Sequence, residues 1–367
     1  VATETAPPAA AFRLLAEPGE VTAKQLPLPI ILIGLTGALA LSVVAGIALG
    51  PVTVALPDVL RLLGKALTGG TIRADEVIDY AIVWNVRTPR VLLAAVVGAG
   101  LSAVGVAVQA LVRNALADPF VLGISSGASV GATAVVVFGL FAGLGVLALS
   151  AAAFLGALGA TALVYLAARS RSGLTPLRLV LTGVALAYAF QAAMSVLVFL
   201  SPNGQAAQTV LFWLLGSLGS ASWESLPLCT AGVVIAIVLL LRRGTALDVM
   251  SMGDETAASL GTDAAALRRW LFLLTAVVTG LLVAVSGAIG FVGLVLPHVV
   301  RMLVGSGHRR LLAVAPLAGA VFLIWVDLLA RTLVPPEELP LGVITALIGV
   351  PVFLYVMRTR GYAFGGK

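Results

Sequence analysis

Catalysis or metal binding needs titratable or nucleophilic groups that converge, and this chain carries few. It has two histidines, His298 and His308, and neither has a carboxylate or a second histidine at ligand spacing. No HExxH run occurs, and no paired carboxylates lie inside an apolar stretch. His298 follows Pro297 in a Gly/Pro-broken apolar run, where a polar side chain satisfies freed backbone carbonyls more readily than it ligates haem iron. His308 lies in a basic turn and reads as solvated. Cys229 is the single cysteine, embedded in apolar residues, so neither a disulfide framework nor a thiolate metal site is available. Gly361 to Lys367 (GYAFGGK) matches the opening of a phosphate loop but lacks the Ser/Thr and the following helix that the chemistry requires. The expectation is a chain with no catalytic residues, no metal ligands and no ATP site of its own.

Three polar constellations remain. Arg87-Thr88-Pro89-Arg90 opens an apolar run, with Thr88 suited to an N-cap and Pro89 to the first helical position. Two arginines there face the positive end of the helix dipole, unfavourable by about 0.3–1 kcal/mol per charge. Something anionic should offset them, and lipid phosphate would serve. Arg331 stands four residues after Asp327, an i,i+4 pair worth a few tenths of a kcal/mol if exposed. Asp327 is also the main charge within an apolar run. Ion-coupled carriers usually hold ionisable groups at mid-membrane, so this scarcity weighs against a secondary transporter. Finally, Asp248 to Gly261 (DVMSMGDETAASLG) reads as a short helix, with Asp254-Glu255 near its start and Gly261 near its end. A plain linker would read much the same.

The elements that position these residues follow from composition. Of 367 residues, 60% are apolar, and only 22 Lys/Arg and 16 Asp/Glu are charged; the mean hydropathy is +1.12. A soluble domain is about 45–50% apolar and about 25% charged, so a soluble enzyme is excluded, and so is a disordered chain. Aromatics make up 6% and strand-like alternation is absent, which points to an all-α polytopic bundle and away from a β-barrel. The net charge of +6 forms no basic stripe with interleaved aromatics, so nucleic acid is not an expected partner.

A span needs about 20 mainly apolar residues. About ten candidates appear: 28–50, 90–111, 120–139, 144–168, 177–200, 226–241, 270–286, a broken one near 291–304, 311–333 and 341–357. Polar segments lie at 58–86 and 244–269. With both termini cytoplasmic, 16 of the 22 basic residues fall inside, as the positive-inside rule requires. Residues 1–27 read as a disordered cytoplasmic tail with no signal-peptide pattern, 28–360 as the membrane domain and 361–367 as a second cytoplasmic tail. Gly123, Gly127 and Gly131, and Gly139 with Gly143, recur at four-residue spacing, which suits close helix packing or, alternatively, a hinge.

Several segments together resemble one family, the permease subunits of type II ABC importers for ferric siderophores, haem and cobalamin. They are residues 86–132, LTGVAL (181–186), FWLLGSLGSASW (212–223), MGDETAASLG (252–261), 287–312, Asp327 through Arg331, and LPLGVITALIGVPVF (339–353). Ala115 departs from the family's usual Pro, which leaves the local turn geometry open. The resemblance implies ten helices per subunit and a homodimer with the translocation path between the copies, in a bacterial inner membrane. It also implies two cytoplasmic ATPase subunits, which use the ATP and Mg, and a periplasmic or lipid-anchored binding protein. On the same basis Arg87, Arg90 and Arg331 would dock the binding protein, and 248–261 would be the coupling helix. In that segment Gly253, Asp254, Glu255, Ala257, Leu260 and Gly261 would meet the ATPase. The implied function is alternating-access import of an iron complex, siderophore or haem. Cobalamin is the alternative cargo, an ion-coupled carrier or a structural membrane scaffold the alternative class.

Overall fold

The computed structural model describes residues 27–359 apart from 171–172 and 202–203. The expected tails (but for Pro27) and the GYAFGGK run lie outside the described residues. Within them, regular structure is helical: α1 (Leu28–Ala48), α2 (Leu56–Thr68), α3 (Val77–Tyr80), α4 (Thr88–Val112), α5 (Ile124–Phe138), α6 (Ala148–Ala168), α7 (Pro176–Phe199), α8 (Gly204–Leu214), α9 (Leu226–Arg242), α10 (Gly244–Ser251), α11 (Asp254–Ser259), α12 (Ala264–Ser286), α13 (Val292–Val304), α14 (His308–Thr332) and α15 (Leu341–Thr359). The starts are chemically marked. Thr175 accepts the Arg178 N–H ahead of Pro176, and Asp263 accepts the Ala266 N–H at 2.9 Å.

Each expected span is helical, but the lengths differ. Among the described residues seven helices are long and apolar enough to cross a membrane, and α9 with α10, bent by 61°, makes eight when the pair is counted as one span. Helices α5 and α13 have 15 and 13 residues, shorter than a straight crossing needs. The chain is a multi-pass helical membrane protein.

Three local expectations are corrected. The second span begins well before residue 90, because a continuous helical run enters α4 through a π-helical turn at Ala81–Arg87. Proline lacks an N–H and its ring crowds the carbonyl one turn back, and the wider π turn makes room ahead of Pro89. Thr88 is consequently not an N-cap; its hydroxyl donates to the Val83 carbonyl at 2.6 Å. The eighth run breaks at Gly287–Phe291, where both named residues have positive φ (66° and 67°), while Pro297 sits inside α13. Segment 248–261 is not one helix. Gly253, at φ 115°, separates α10 from α11.

Helix α4 is the buried axis of the bundle, packed by α9, α12, α13 and α14. It meets α14 at Gly98 and Gly319, where a Cβ on either would enter the other's carbonyl. Gly127 and Gly131 on α5 likewise lie against Ala160, Gly156 and Ala152 of α6, so these glycines of the four-residue series pack helices. Gly139 and Gly143 face open space and do not. The turn after α4 closes without the missing proline: Asn114 accepts the Leu116 N–H at 2.9 Å, an Asx turn.

Candidate functional sites at the two ends of the bundle

At one end the start of α4, the end of α14 and the end of α1 converge. Because the helical run continues back past Arg87, the two arginines do not face a helix N-terminus, and the chain itself supplies two carboxylates to Arg90. Arg90 donates through Nε to Asp327 Oδ1 at 2.8 Å, and through Nη1 and Nη2 to the two oxygens of Glu338, each at 2.9 Å. That fork is the planar, two-point pairing that guanidinium favours. Arg331 completes the cluster, with Nε 3.1 Å from Asp327 Oδ2 and Nη2 donating to Gly46 O at 2.8 Å. Arg87 takes another route, donating to the carbonyls of Ile47 and Ala48 at 3.1 and 3.0 Å and to that of Val52. A cation on the last carbonyls of α1 meets the negative end of that helix.

The three arginines expected to dock a partner are therefore brought together, but buried and bonded within the chain rather than presented as open cations. Their residues are 3%, 6% and 3% exposed, and Asp327 is fully buried. Glu338, 40% exposed at its side chain, is the most accessible member. The Arg90 hydrogen bonds hold the Glu338 carboxyl below the usual carboxylate range. Glu338 was missed as a site residue because Pro335-Pro336-Glu337-Glu338 reads only as a divider. The signal was the uncompensated Arg90.

At the opposite end α11 forms a short ledge. Gly253 opens it and Gly261, at φ 76°, closes it in a Schellman pair: the Gly261 N–H donates to Ala258 O and the Thr262 N–H to Ala257 O. Asp254 ties the ledge down. Arg268 Nη2 donates to its Oδ1 at 2.7 Å while Arg268 Nη1 donates to Leu174 O at 2.9 Å, and Arg113 stands 3.6 Å away. Hydrogen bonding from Arg268 holds the Asp254 carboxyl low.

Ala257 is fully buried beneath the ledge, where its small size serves packing within the chain. Glu255, Ala258, Leu260 and Gly261 face outward, with Leu260 60% exposed. Beside the ledge lies a cavity of about 440 Å³ lined by Gln109, Arg113, Asp248, Met252, Arg301 and His308. His308 is buried, against the expectation of a solvated residue. Asp248 accepts its backbone N–H at 2.8 Å and lies 2.6 Å from its Nδ1, locking α10 to α14. His298 is buried in α13 and Cys229 in α9. Among the described residues no three His, Cys, Asp or Glu side chains gather as a metal would need.

The model of the FecCD transport family matches residues 38–359. The chain belongs to this family. Its sequence is 43% identical to the hemin transport system permease protein of Yersinia pestis, over 76% of this chain and 84% of that one. It is 41% identical to the cobalamin import system permease protein of Halobacterium salinarum, over 76% and 74%. A solved structure described as an inward-facing ABC transporter of metal-chelate type superposes with a TM-score of 0.78 at 33% identity, covering 90% of this FecCD-family chain and all of that one. Both sequence relatives are named as permeases, one of a hemin transport system and one of a cobalamin import system, so their named cargoes differ.

Proposed function

We propose that this FecCD-family chain is the membrane permease subunit of an ATP-driven importer in the bacterial inner membrane, carrying an iron complex, siderophore or haem. The observation that carries the reading is the family match across nearly every described residue, with relatives of similar length named as permeases of hemin transport and cobalamin import systems. Cobalamin is the second reading of the cargo, favoured by the Halobacterium relative. The chain would cross the membrane ten times, with α5 and α13 as the short crossings and both termini inside, and would work as a homodimer. Among the apolar residues exposed on α7, such as Leu181 and Val196, stand Tyr188, Gln191 and Ser195, polar groups suited to a protein or water-filled boundary more than to lipid.

In this reading the α11 ledge and the neighbouring cavity face the cytoplasm and receive a separate ATPase, which binds the ATP and Mg. The exposed contacts would be Glu255, Leu260 and Gly261, with Gly253, Asp254 and Ala257 shaping the ledge. The Arg90 cluster lies on the outer face, where a periplasmic or lipid-anchored binding protein docks. A carboxylate from that protein would engage Arg87, Arg90 or Arg331 by exchanging with the internal partners. Proteoliposomes holding this chain with its ATPase and binding protein test the proposal. Radiolabelled haem or ferric siderophore should accumulate only with ATP. Accumulation of cobalamin alone would select the second cargo, and uptake without the ATPase would refute the assignment.

A further inference from the structure

Helix α2 places an amphipathic sequence outside the long spans. Its leucines and Val59 occupy one half of the helical circumference, and Asp58, Arg61 and Lys65 the other. Only part of the apolar half is seated on protein: Val59 and Leu62 are buried where α2 packs on the Ala81–Arg87 turn. Leu56, Leu60 and Leu67 stay 48%, 53% and 76% exposed. The stripe they form is about 16 Å long at 1.5 Å per residue. The polar half is pinned, with Lys65 Nζ 2.5 Å and Arg61 3.4 Å from Glu76.

Two observations identify what covers the stripe. The turn that seats α2 carries Trp84, whose ring centroid is 4.5 Å from that of Trp223, and Trp223 Nε1–H donates to Trp84 O at 2.9 Å. Tryptophans collect at the headgroup level of a membrane, where an apolar ring and a polar N–H are both accommodated. The second is continuity with α1, from which only seven intervening residues separate α2. The exposed side of α1 is Ile30, Ile33, Ala40, Leu41 and small residues, with Thr36 its one polar member. That is a face for acyl chains.

We infer that α2 is an interfacial helix lying along the membrane surface, with Leu56, Leu60 and Leu67 among the acyl chains and Arg61 and Lys65 at headgroup level. Through the Lys65–Glu76 pair and the π turn it fixes the depth at which Arg87 and Arg90 sit. The inference rests on membrane residence alone and stands whatever the cargo.

The test uses the full chain without partner proteins, in nanodiscs of phosphatidylethanolamine and phosphatidylglycerol. Single cysteines replace Leu60, Leu67 or Arg61 and carry an environment-sensitive fluorophore; the unsubstituted chain, whose Cys229 is buried, gives the background. Doxyl-labelled lipid should quench the Leu60→Cys and Leu67→Cys labels several-fold more than the Arg61→Cys label, and aqueous iodide should show the reverse order. Iodide quenching at 60 and 67 equal to that at 61 would place the stripe in water. Shielding of both labels from lipid and iodide alike would place it under protein, and either result overturns the inference.

Discussion

At the scale of single residues, Arg90 carries the largest consequence. It bridges a fully buried carboxylate on α14 and a half-exposed one in the following loop, so its truncation leaves Asp327 with Arg331 alone. Breaking a buried pair by removing one partner costs about 3–5 kcal/mol. Arg90→Ala should therefore lower the thermal midpoint in detergent markedly, whereas Glu338→Gln, at the exposed edge, should cost about 1 kcal/mol or less. Reversing both arginines, Arg87→Glu with Arg90→Glu, is expected to destabilise the bundle, and so it does not isolate docking. Glu338→Gln is the cleaner probe. The Asp254 carboxyl makes a second residue-scale prediction. Arg268 depresses its folded pKa, so its stabilising contribution is complete above the ordinary carboxylate range and is lost as pH falls through the lowered value. Hydrogen exchange at α11, corrected for intrinsic rates, should rise on acidification below about pH 4. Asp254→Asn should already exchange fast at neutral pH and change little on acidification.

At the scale of elements, the α11 ledge divides into a buried underside and an exposed crest, and variants should sort the same way. Ala257→Trp forces a large ring beneath a helix of six residues. Overpacking of that kind costs about 1–3 kcal/mol or more and should loosen the ledge. Leu260→Asp, on the crest, should leave the melting temperature unchanged while abolishing stimulation of a reconstituted ATPase. ATPase stimulation by Leu260→Asp at the unaltered chain's level would remove the crest from the interface. Helix positions were legible in the sequence, because about 20 apolar residues bounded by Arg, Pro or Gly leave little choice of register. What was not legible arises between elements. The π turn before Pro89 is a backbone solution to crowding, and neither it nor the positive φ of Phe291 is announced by spacing alone. Glu338 stands 248 positions from Arg90, and only the antiparallel packing of α4 on α14 brings the two together. The sequence pattern placed Gly127 and Gly139 in one series, yet only the first finds a neighbouring helix.

At the scale of the whole molecule, polarity is sorted by height. Arg87, Arg90, Asp327, Arg331 and Glu338 meet at one end, and Arg113, Asp248, Asp254, Arg268 and His308 at the other. Between them α4, α12 and α14 bury mainly apolar, small and hydroxyl side chains. This layout bears on the source of energy. A proton carrier needs an ionisable group that reaches water from each side in turn. Asp327 is sealed from solvent and fixed by guanidinium groups at 2.8 and 3.1 Å, which makes it a strut between helices. Uptake by the reconstituted importer should therefore persist at an unchanged initial rate when a protonophore collapses the proton gradient, and stop when the ATPase is omitted. Measuring labelled cargo inside proteoliposomes under both conditions decides between the classes. A rate that falls with the gradient while ATP is saturating would make this chain an ion-coupled carrier and would require a titrating group elsewhere along its path.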